Sequence, residues 1–292
     1  MRIVFIGSVI FSKISLLKLL TLGANIVGIV TKENSSFNSD FIDLSSLSKD
    51  FGIPYKYVKD INHQNNISWI SELNPDIIFC FGWSNLLKNE ILCLPKLGVV
   101  GFHPSLLPNN KGRHPLIWSK VLGLKKTGST FFFMNEGADT GDILDQSEFE
   151  ITIEDDINAV YDKMTKVALN QIEIFYPKLL SGTYSRIKQF GVGNVWRKRN
   201  KIDGQIDFRM TTESILNLVR GLTKPFPGAY CVIGGVEYKI WKCEQGLFRN
   251  NNIEPGKVIS IKDNKIEIKT SDSSIFLTEH ELPQITKGEY LI

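Results

Sequence analysis

The sequence predicts an α/β fold, and two observations carry that prediction. In the first half, short apolar runs alternate with helical patterns, as expected for a parallel sheet covered by helices. In the last third, short strand-like runs follow one another across Gly or Asn turns, which is typical of a compact barrel. The 292 residues therefore suit a Rossmann-like, mostly parallel sheet followed by a smaller C-terminal β-rich domain, an OB-like barrel.

The strands expected in the first half are apolar runs bounded by glycine, proline or polar residues. They are Arg2–Gly7, Asn25–Val30, Asp76–Phe81, Gly98–His103 and Gly128–Met134. Apolar residues at helical spacing predict helices at Phe11–Leu22 and from about Asp155 to Leu180.

Composition changes after the long helix, and glycine and polar residues predict a linker at 191–210. A short helix is expected at Thr212–Leu222, where threonine suits the cap. The strands expected after it are Tyr230–Ile233, Val236–Cys243, Lys257–Ile261, Ile266–Thr270 and Ser274–Leu277. The resulting division is a main domain at 1–190, the linker, and a small β-rich domain at 211–292.

Composition excludes several classes of protein. The hydrophobic fraction of 42% and charged fraction of 22% are those of a soluble globular chain, and no apolar run is long enough to cross a membrane. Four scattered cysteines without CxxC spacing argue against disulfides and zinc. Met1 leads directly into a strand-like run, so we expect no signal peptide and a cytoplasmic location. A net charge of +3 does not demand a nucleic-acid partner.

A predicted strand ends on His103 and continues into a short loop bracketed by Pro104 and Pro108. Ligands of open parallel sheets bind at the carboxyl ends of strands, where a histidine is placed for proton transfer near neutral pH. A structural histidine that closes the strand is the competing interpretation. On this residue alone, the structural interpretation is favoured.

A second polar loop, Asn135–Leu144, follows the next predicted strand, so its carboxylates can approach His103. A carboxylate beside an imidazole fixes the tautomer and stabilises the charged ring. The Asp-Thr-Gly-Asp sequence within it is equally good chemistry for an ordinary turn. By itself this motif leaves both interpretations open.

Together the two loops resemble the formyltransferases that use 10-formyltetrahydrofolate. The matching motifs are Phe102–Pro108, Lys111–Arg113 and Gly137–Leu144, with Pro75–Ile78 and Leu94–Gly98 upstream. Further along, Asp203–Phe208 and Val219–Ala229 resemble the small C-terminal domain of methionyl-tRNA formyltransferases and sugar N-formyltransferases. The first part of the resemblance covers about 180 residues. The alternative of a nicotinamide enzyme is disfavoured, because Gly7–Ser12, after the first predicted strand, lacks the G-x-G-x-x-G motif of such enzymes.

The resemblance implies roles for individual residues. His103 would lie against the formyl group, and Asp139 would orient it and assist proton movement. The folate would be the co-substrate, 10-formyltetrahydrofolate, with no metal required. Its site would be lined by Ser105, Leu106, Leu107, Pro108, Asn135, Glu136, Gly137 and Ala138. Trp83 is either a further pocket residue or an ordinary core aromatic.

One position departs from the family. Formyltransferases usually carry an asparagine two residues before the histidine, where it donates to the formyl oxygen, and this chain has Gly101. Losing such a donor costs about 3 kcal/mol, or roughly a hundredfold in rate. Another donor or an ordered water fills the gap, or the protein is a weak or retired catalyst.

The acceptor amine is the second question that the resemblance raises. The basic run Arg197–Arg199 suits a nucleotide diphosphate or a tRNA phosphate, and a solvated linker is at least as good an interpretation. The candidate acceptor-binding residues are Gly101, Lys111, Arg113, His114, Trp196, Arg197 and Arg199.

Two features favour a small acceptor. Methionyl-tRNA formyltransferases carry a basic insertion after the second strand, whereas Thr31–Asp40 is nearly neutral and has no arginine. His114 and Trp118 also look like sugar-modifying members. We therefore expect a nucleotide-activated amino sugar, as in surface polysaccharide or lipopolysaccharide biosynthesis. Methionyl-tRNA is the alternative acceptor, a folate-binding protein with weakened catalysis is the alternative function, and a homodimer is expected from the family.

Overall fold

A seven-stranded and a five-stranded sheet organise the chain, which the computed structural model describes at residues 1–35 and 40–291. The strands are β1 (Arg2–Ile6), β2 (Asn25–Thr31), β3 (Tyr55–Tyr57), β4 (Ile77–Cys80), β5 (Val99–His103), β6 (Lys111–Gly112), β7 (Lys126–Phe133), β8 (Ile143–Glu150), β9 (Val195–Trp196), β10 (Ala229–Ile233), β11 (Val236–Gly246), β12 (Val258–Lys262), β13 (Lys265–Lys269) and β14 (Ser274–His280). The helices are α1 (Ile10–Thr21), α2 (Ser45–Asp50), α3 (Gln64–Glu72), α4 (Asn89–Leu92), α5 (Pro115–Val121), α6 (Ile157–Ser181) and α7 (Thr212–Leu222), with a 3-10 turn at Lys201–Gly204.

The seven-stranded sheet has the order β3-β2-β1-β4-β5-β7-β8. Its strands from β3 to β5 pair in parallel. Side chains on both faces of its centre are fully buried, among them Val4 and Ile78 on one face and Phe5 and Phe79 on the other. Burial on both faces explains why these strands are continuous apolar runs rather than alternating ones. The predicted fold class is confirmed.

The prediction was wrong about the direction of one strand. β7 runs antiparallel to β5, with His103 opposite Thr130 and Val100 opposite Phe133. The loop that follows β7 therefore starts at the end of the sheet away from His103. Local apolar pattern does not encode strand direction, because parallel and antiparallel strands bury the same kinds of side chain. Ile143 and Leu144, expected in a loop, begin β8.

The predicted β-rich domain is a five-stranded sheet with the order β10-β11-β14-β13-β12, and its recorded pairs are all antiparallel. The hairpin turns fall where the sequence predicted them. Gly234 and Gly235 have φ of 57° and 80°, and Asp263 and Asn264 have φ of 50° and 63°. Such left-handed pairs match the twist of the flanking strands.

Contacts divide the chain into two units. The first comprises Met1–Gly112, Gly128–Phe149 and Lys163–Val195, and the second comprises Arg113–Thr127, Glu150–Asp162 and the chain from Trp196 onward. The second unit thus includes two segments that precede the expected linker. Cutting the chain once, at a linker, cannot describe such a division. The boundaries at 190 and 211 stay a prediction.

The stretch 191–210 is more structured than a linker. It contains β9 and the 3-10 turn, and Ile206 and Phe208 are buried in the second unit. The backbone N–H of Ile206 donates to the carbonyl of Tyr230 at 2.7 Å. Two apolar side chains among polar neighbours are enough to fix this segment, because burying each of them is favourable.

None of the helices that the structure describes combines the length and apolar character needed to span a bilayer.

Candidate active site

His103 is the last residue of β5 and only 5% exposed. Its Nε2 donates a hydrogen bond to the carbonyl oxygen of Asn110 at 2.8 Å. Asn110 has a left-handed φ of 62°, which asparagine tolerates better than most residues. Since a carbonyl can only accept, it holds the proton of the neutral ring on Nε2 and leaves a lone pair on Nδ1.

The Asp139 carboxylate lies beside that ring, with Oδ2 3.6 Å from Nδ1 of His103. This separation is longer than a hydrogen bond but short enough for a strong charge interaction. Oδ2 also accepts a hydrogen bond from the backbone N–H of Gly112 at 2.9 Å. The expected proximity of His103 and Asp139 is therefore present. The tautomer, however, is set by Asn110 rather than by Asp139.

The loop after β7 doubles back to bring Asp139 to His103. Phe133 donates its backbone N–H to the carbonyl of Asp142 at 2.8 Å, which closes the loop at its base. A Cβ on Gly141 would lie 1.6 Å from the carbonyl oxygen of Phe133, so only glycine allows this close approach. Asp139 itself has a left-handed φ of 56°.

The loop Ser105–Pro108 is fixed by side chains beneath it. Thr130 Oγ1 donates to the carbonyl of Ser105 at 2.6 Å, and Gln146 Nε2 donates to the carbonyl of Leu107 at 2.9 Å. The Leu107–Pro108 peptide bond is cis. The backbone of this loop is thereby held in one shape before any ligand binds.

The neighbouring loop Asn135–Ala138 exposes its residues to solvent. Asn135 Oδ1 accepts hydrogen bonds from the backbone N–H of Gly137 at 3.1 Å and from Thr140 Oγ1 at 2.7 Å. The Asn135 side chain therefore shapes the loop from within.

Gly101 is buried in β5, where the side chain of Met134 covers it. A Cβ at position 101 would lie 2.8 Å from Met134 Cγ and 3.0 Å from Sδ. Methionine is flexible, so a larger residue at 101 requires Met134 to move rather than the backbone. Glycine supplies no side-chain donor at the place where the family carries asparagine.

A second group of candidate residues surrounds His114 in the second unit. His114 precedes α5 and has a left-handed φ of 56°, and its Nδ1 accepts a hydrogen bond from the backbone N–H of Arg199 at 3.3 Å. The pKa of the His114 imidazole is lowered, first by burial and then by the positive charges of Arg199, Arg113 and Lys198. This environment favours the neutral ring.

Two arginines lie over the indole ring of Trp118 in the same unit. The guanidinium carbons of Arg197 and Arg199 are 5.2 and 5.0 Å from the ring centroid. Arg197 forms a bidentate ion pair with Asp203, and this hydrogen bonding lowers the pKa of the Asp203 carboxyl to about 2. Arg199 Nη1 is buried and has no hydrogen-bond partner among the described residues. Arg199 is therefore the cation with a donor left for a ligand.

Comparison with known proteins identifies the family of the chain. The model of the family described as formyl transferase matches residues 1–173, and that of the formyl transferase C-terminal domain matches 198–288. The chain belongs to the formyl transferase family. It is therefore an enzyme that transfers formyl groups, and the resemblance seen in its motifs is confirmed.

Individual relatives of this formyltransferase fall into two groups. A methionyl-tRNA formyltransferase of Caldanaerobacter subterraneus is 31% identical over 100% of this chain and 96% of its own. WlaRD, a sugar 3N-formyl transferase solved in the presence of dTDP and 5-N-formyl-THF, superposes with a TM-score of 0.71 at 20% identity, covering 94% of this chain and 96% of its own. An N-formyltransferase of Helicobacter canadensis, solved with folinic acid and dTDP-3-aminofucose, gives 0.70 at 19% identity over 94% and 98%. At such identities the two solved structures establish the fold alone.

The remaining candidate residues of the formyltransferase are divided between the two units. Trp83 follows β4 in the first unit, with Lys32 Nζ 4.8 Å from the centroid of its ring, and its buried Nε1 has no partner among the described residues. Lys111, also in the first unit, donates its backbone N–H to the carbonyl of Asn194 at 3.0 Å. Trp196, in the second unit, accepts from the backbone N–H of Arg113 at 3.1 Å.

The sequence analysis missed two residues that contact the candidate site. Asn110 holds His103, and its position in an Asn-Asn pair just after Pro108 was a usable signal for a left-handed turn. Gln189 donates from Nε2 to the backbone carbonyl of Asp139 at 3.0 Å. Nothing in the sequence around Gln189 indicates that contact.

Metal-ligating side chains do not cluster in the described part of the chain. Within 1–35 and 40–291, no group of three or more His, Cys, Asp or Glu side chains is arranged to hold a metal ion. That the reaction needs no metal stays a prediction.

Proposed function

We propose that this formyltransferase moves the formyl group of 10-formyltetrahydrofolate to the amine of a nucleotide-activated amino sugar. The observation that carries the choice of acceptor is the buried, unpartnered Nη1 of Arg199 beside the Trp118 ring. Nη2 of Arg199 donates to the backbone carbonyl of Asp203, so Nη1 is the group left to donate a charge-assisted hydrogen bond to a phosphate oxygen. The nucleotides in the WlaRD and Helicobacter canadensis structures support the same class of acceptor.

The folate proposal rests on the two loops of the first unit. The backbone carbonyls of Ser105 and Leu107 accept hydrogen bonds from Thr130 and Gln146, and the residues Asn135–Ala138 are exposed. The unpartnered indole N–H of Trp83 is a donor that a polar ligand would satisfy, since buried donors without partners are costly. We expect these three elements to hold the pterin, as a mostly apolar pocket with a few fixed polar groups does.

10-Formyltetrahydrofolate supplies an electrophilic formyl carbon whose oxygen gains negative charge when an amine adds. His103 carries the proton chemistry. Its Nε2 is committed to Asn110, so Nδ1 is the atom that takes up the proton from the amine. Once protonated, Nδ1 is a donor that the negative oxygen can use in place of the family asparagine. When the bond between the formyl carbon and N10 of the folate breaks, Nδ1 gives the proton to N10, so that the formyl group stays on the amine and tetrahydrofolate leaves. Asp139, at 3.6 Å, stabilises that cationic ring.

Formylation of methionyl-tRNA is the second candidate, favoured by the relative that is 31% identical along the whole chain. Binding a tRNA depends on neutralising several phosphates. The segment Thr31–Asp40 carries one cation, Lys32, against Glu33 and Asp40, and its residues 36–39 lie outside the described residues. This composition favours the small acceptor.

A folate-binding protein with weakened catalysis is the third candidate. Gly101 and the Met134 side chain over it are the observation that favours this candidate, since together they remove the family's donor.

The experiment that separates these candidates offers several acceptors to the purified protein. Amino sugars linked to dTDP, UDP and GDP, and methionyl-tRNA, are each incubated with 10-formyltetrahydrofolate, and the products are identified by mass spectrometry. We expect a mass gain of one formyl group on one amino-sugar nucleotide. Formylation of methionyl-tRNA alone would establish the second candidate. Folate binding without transfer to any acceptor would establish the third.

A further inference from the structure

We propose that the segment Ile187–Val195, here called the strap, positions both His103 and Asp139 through hydrogen bonds made by Gln189 and Asn194. The proposal rests on the proposed function in so far as those two residues act on the formyl group. The strap spans the end of the expected main domain and the start of the expected linker, where sequence reasoning assigned no role.

One arm of the strap holds the Asp139 loop. Gln189 Nε2 donates to the backbone carbonyls of Asp139 at 3.0 Å and of Gly141 at 2.8 Å. Asp139 has the left-handed φ of 56° that residues with a side chain rarely adopt without support. A single amide group that binds both carbonyls stabilises this backbone, and the backbone sets where the carboxylate lies.

The other arm holds His103 through one intermediary. Asn194 Oδ1 accepts a hydrogen bond from the backbone N–H of Asn110 at 2.8 Å, and the Asn110 carbonyl accepts from His103 Nε2 at 2.8 Å. The two bonds are made by the backbone N–H and the carbonyl of the same left-handed residue. A Cβ on Gly193 would lie 1.9 Å from the carbonyl oxygen of Pro108, so the strap passes too close for any other residue.

Polar contacts rather than burial hold the strap in place. Its first residue, Ile187, exchanges two backbone hydrogen bonds with Ile143, of 2.7 and 2.9 Å. Its apolar side chains point outward, with Phe190 81% and Val192 92% exposed. Removing a hydrogen bond from Gln189 or Asn194 therefore changes the position of the site loops without opening a cavity in the core.

The two arms make opposite use of a side-chain amide, and this gives a paired test. Gln189 is used as a donor, so Gln189→Glu removes both bonds and places a carboxylate against two carbonyls. Asn194 is used as an acceptor, so Asn194→Asp keeps its bond, whereas Asn194→Ala loses it. Val192→Ser is the matched control on the same strap, because its side chain is exposed and outside the site.

We expect Gln189→Glu and Gln189→Leu to lower kcat about tenfold, with little change in KM for the formyl donor. Asn194→Ala should lower kcat severalfold, and Asn194→Asp and Val192→Ser should stay close to the wild type. Equal losses from Gln189→Glu and Asn194→Asp, at unchanged melting temperature, would overturn the proposal, since neither donor nor acceptor character would then matter.

Double-mutant cycles test whether each arm acts through its assigned partner. In the Asp139→Asn background, Gln189→Leu should change kcat by less than about twofold, because the carboxylate that it positions is gone. Asn194→Ala should behave in the same way in the His103→Asn background. Full additivity in both cycles would contradict the proposal.

A spectroscopic measurement needs no acceptor. The chain has four histidines, so their imidazole nitrogens can be resolved by NMR with ¹⁵N labelling. We expect neutral His103 to carry its proton on Nε2 in the wild type, Asn194→Asp and Val192→Ser, and to become a mixture of tautomers in Asn194→Ala. An unchanged tautomer in Asn194→Ala would refute the His103 arm. Because this result does not depend on turnover, a chain that formylates no acceptor would disprove the proposed function, and the NMR measurement would still decide the His103 arm of the strap.

Discussion

His103 and His114 are near neighbours in sequence, yet they belong to different units and have opposite electrostatic surroundings. His103 has a carbonyl on Nε2 and a carboxylate 3.6 Å from Nδ1. His114 accepts a backbone N–H on Nδ1 and is surrounded by Arg113, Lys198 and Arg199. The first environment places a carboxylate beside the ring, whereas the second surrounds the ring with cations and lowers the pKa of His114.

Of these two histidines, His103 has the surroundings that proton transfer requires. A ring that alternates between neutral and charged forms needs a partner for each form, and Asn110 and Asp139 supply them for His103. His114 is held neutral among cations, so an anionic ligand is what its surroundings lack. We therefore expect residues of the first unit to carry out the proton transfer and residues of the second to bind the proposed nucleotide-linked acceptor.

The largest expected effect is that of His103→Asn. Because this change removes the ring that exchanges protons, kcat should fall by roughly a hundredfold or more, while KM for the formyl donor changes little. The same substitution at His114 should raise KM for the acceptor and leave kcat nearly intact. Steady-state kinetics of the two variants, measured on the acceptor found by the screen, compare them directly. Equal losses of kcat would remove the distinction between the two histidines.

Asp139→Asn should have the next largest effect, a fall in kcat of about tenfold or more, because the amide no longer stabilises the charged ring 3.6 Å away. Combined with His103→Asn, it should cost little beyond the single histidine variant. Asp203→Asn, in the second unit, is the matched carboxylate change. It releases Arg197 and should alter KM for the acceptor alone. A drop in kcat from Asp203→Asn as large as that from Asp139→Asn would break the comparison.

Arg199→Met should raise KM for the acceptor about tenfold, as expected for losing one charge-assisted hydrogen bond of roughly 1.5 kcal/mol. Methionine keeps much of the packing on Trp118, so kcat should be retained. The effect should shrink as salt is added, because screening weakens the wild-type interaction first. Arg209→Met is the control, since Arg209 lies in the same unit and its guanidinium pairs with Asp207. Equal KM changes in the two variants would exclude a specific role for Arg199.

The sequence predicted the core strands and the His103–Asp139 pair for different reasons. β1, β4 and β5 are apolar runs bounded by glycine, proline or polar residues, so the local sequence is enough to predict that they are buried strands. The pair was predicted from motifs that resemble a family, and the reason given, consecutive strands with a common edge, was wrong because β7 is antiparallel. Asp139 reaches His103 through a loop that only Gly141 permits.

Other features had no local signal. The short helix α2, of sequence Ser-Ser-Leu-Ser-Lys-Asp, has too few apolar residues to show a period. The basic run at Arg197–Arg199 was visible in the sequence. The sequence did not show that Asp203 forms an ion pair with Arg197, or that Nη1 of Arg199 has no partner among the described residues. Gln189 acts on a loop far away in sequence. Such contacts depend on the tertiary fold, which residue types and spacing do not record.

The smallest expected effect is on the pH dependence of the free energy of unfolding, to which His114 contributes through its lowered pKa. Its pKa is lowered in the folded chain, whereas the unfolded chain has the ordinary value of about 6.5. Between these two values the unfolded chain binds more protons, so the free energy of unfolding falls as pH drops through that window. Above about pH 6.5 both states are neutral at this residue, and the stability it contributes is complete.

His114→Asn should remove this share of the pH dependence, and asparagine tolerates the left-handed φ of 56° at this position. Urea unfolding at about pH 7.5 and about pH 5.5 should show the wild type losing more stability on acidification than the variant. The loss of stability of Arg199→Met on acidification should fall between those of the wild type and His114→Asn. This variant removes the charge that opposes protonation of His114 most strongly but leaves the ring buried. If the wild type and His114→Asn lose equal stability, the cations around His114 do not keep it neutral, and the contrast with His103 rests on catalysis alone.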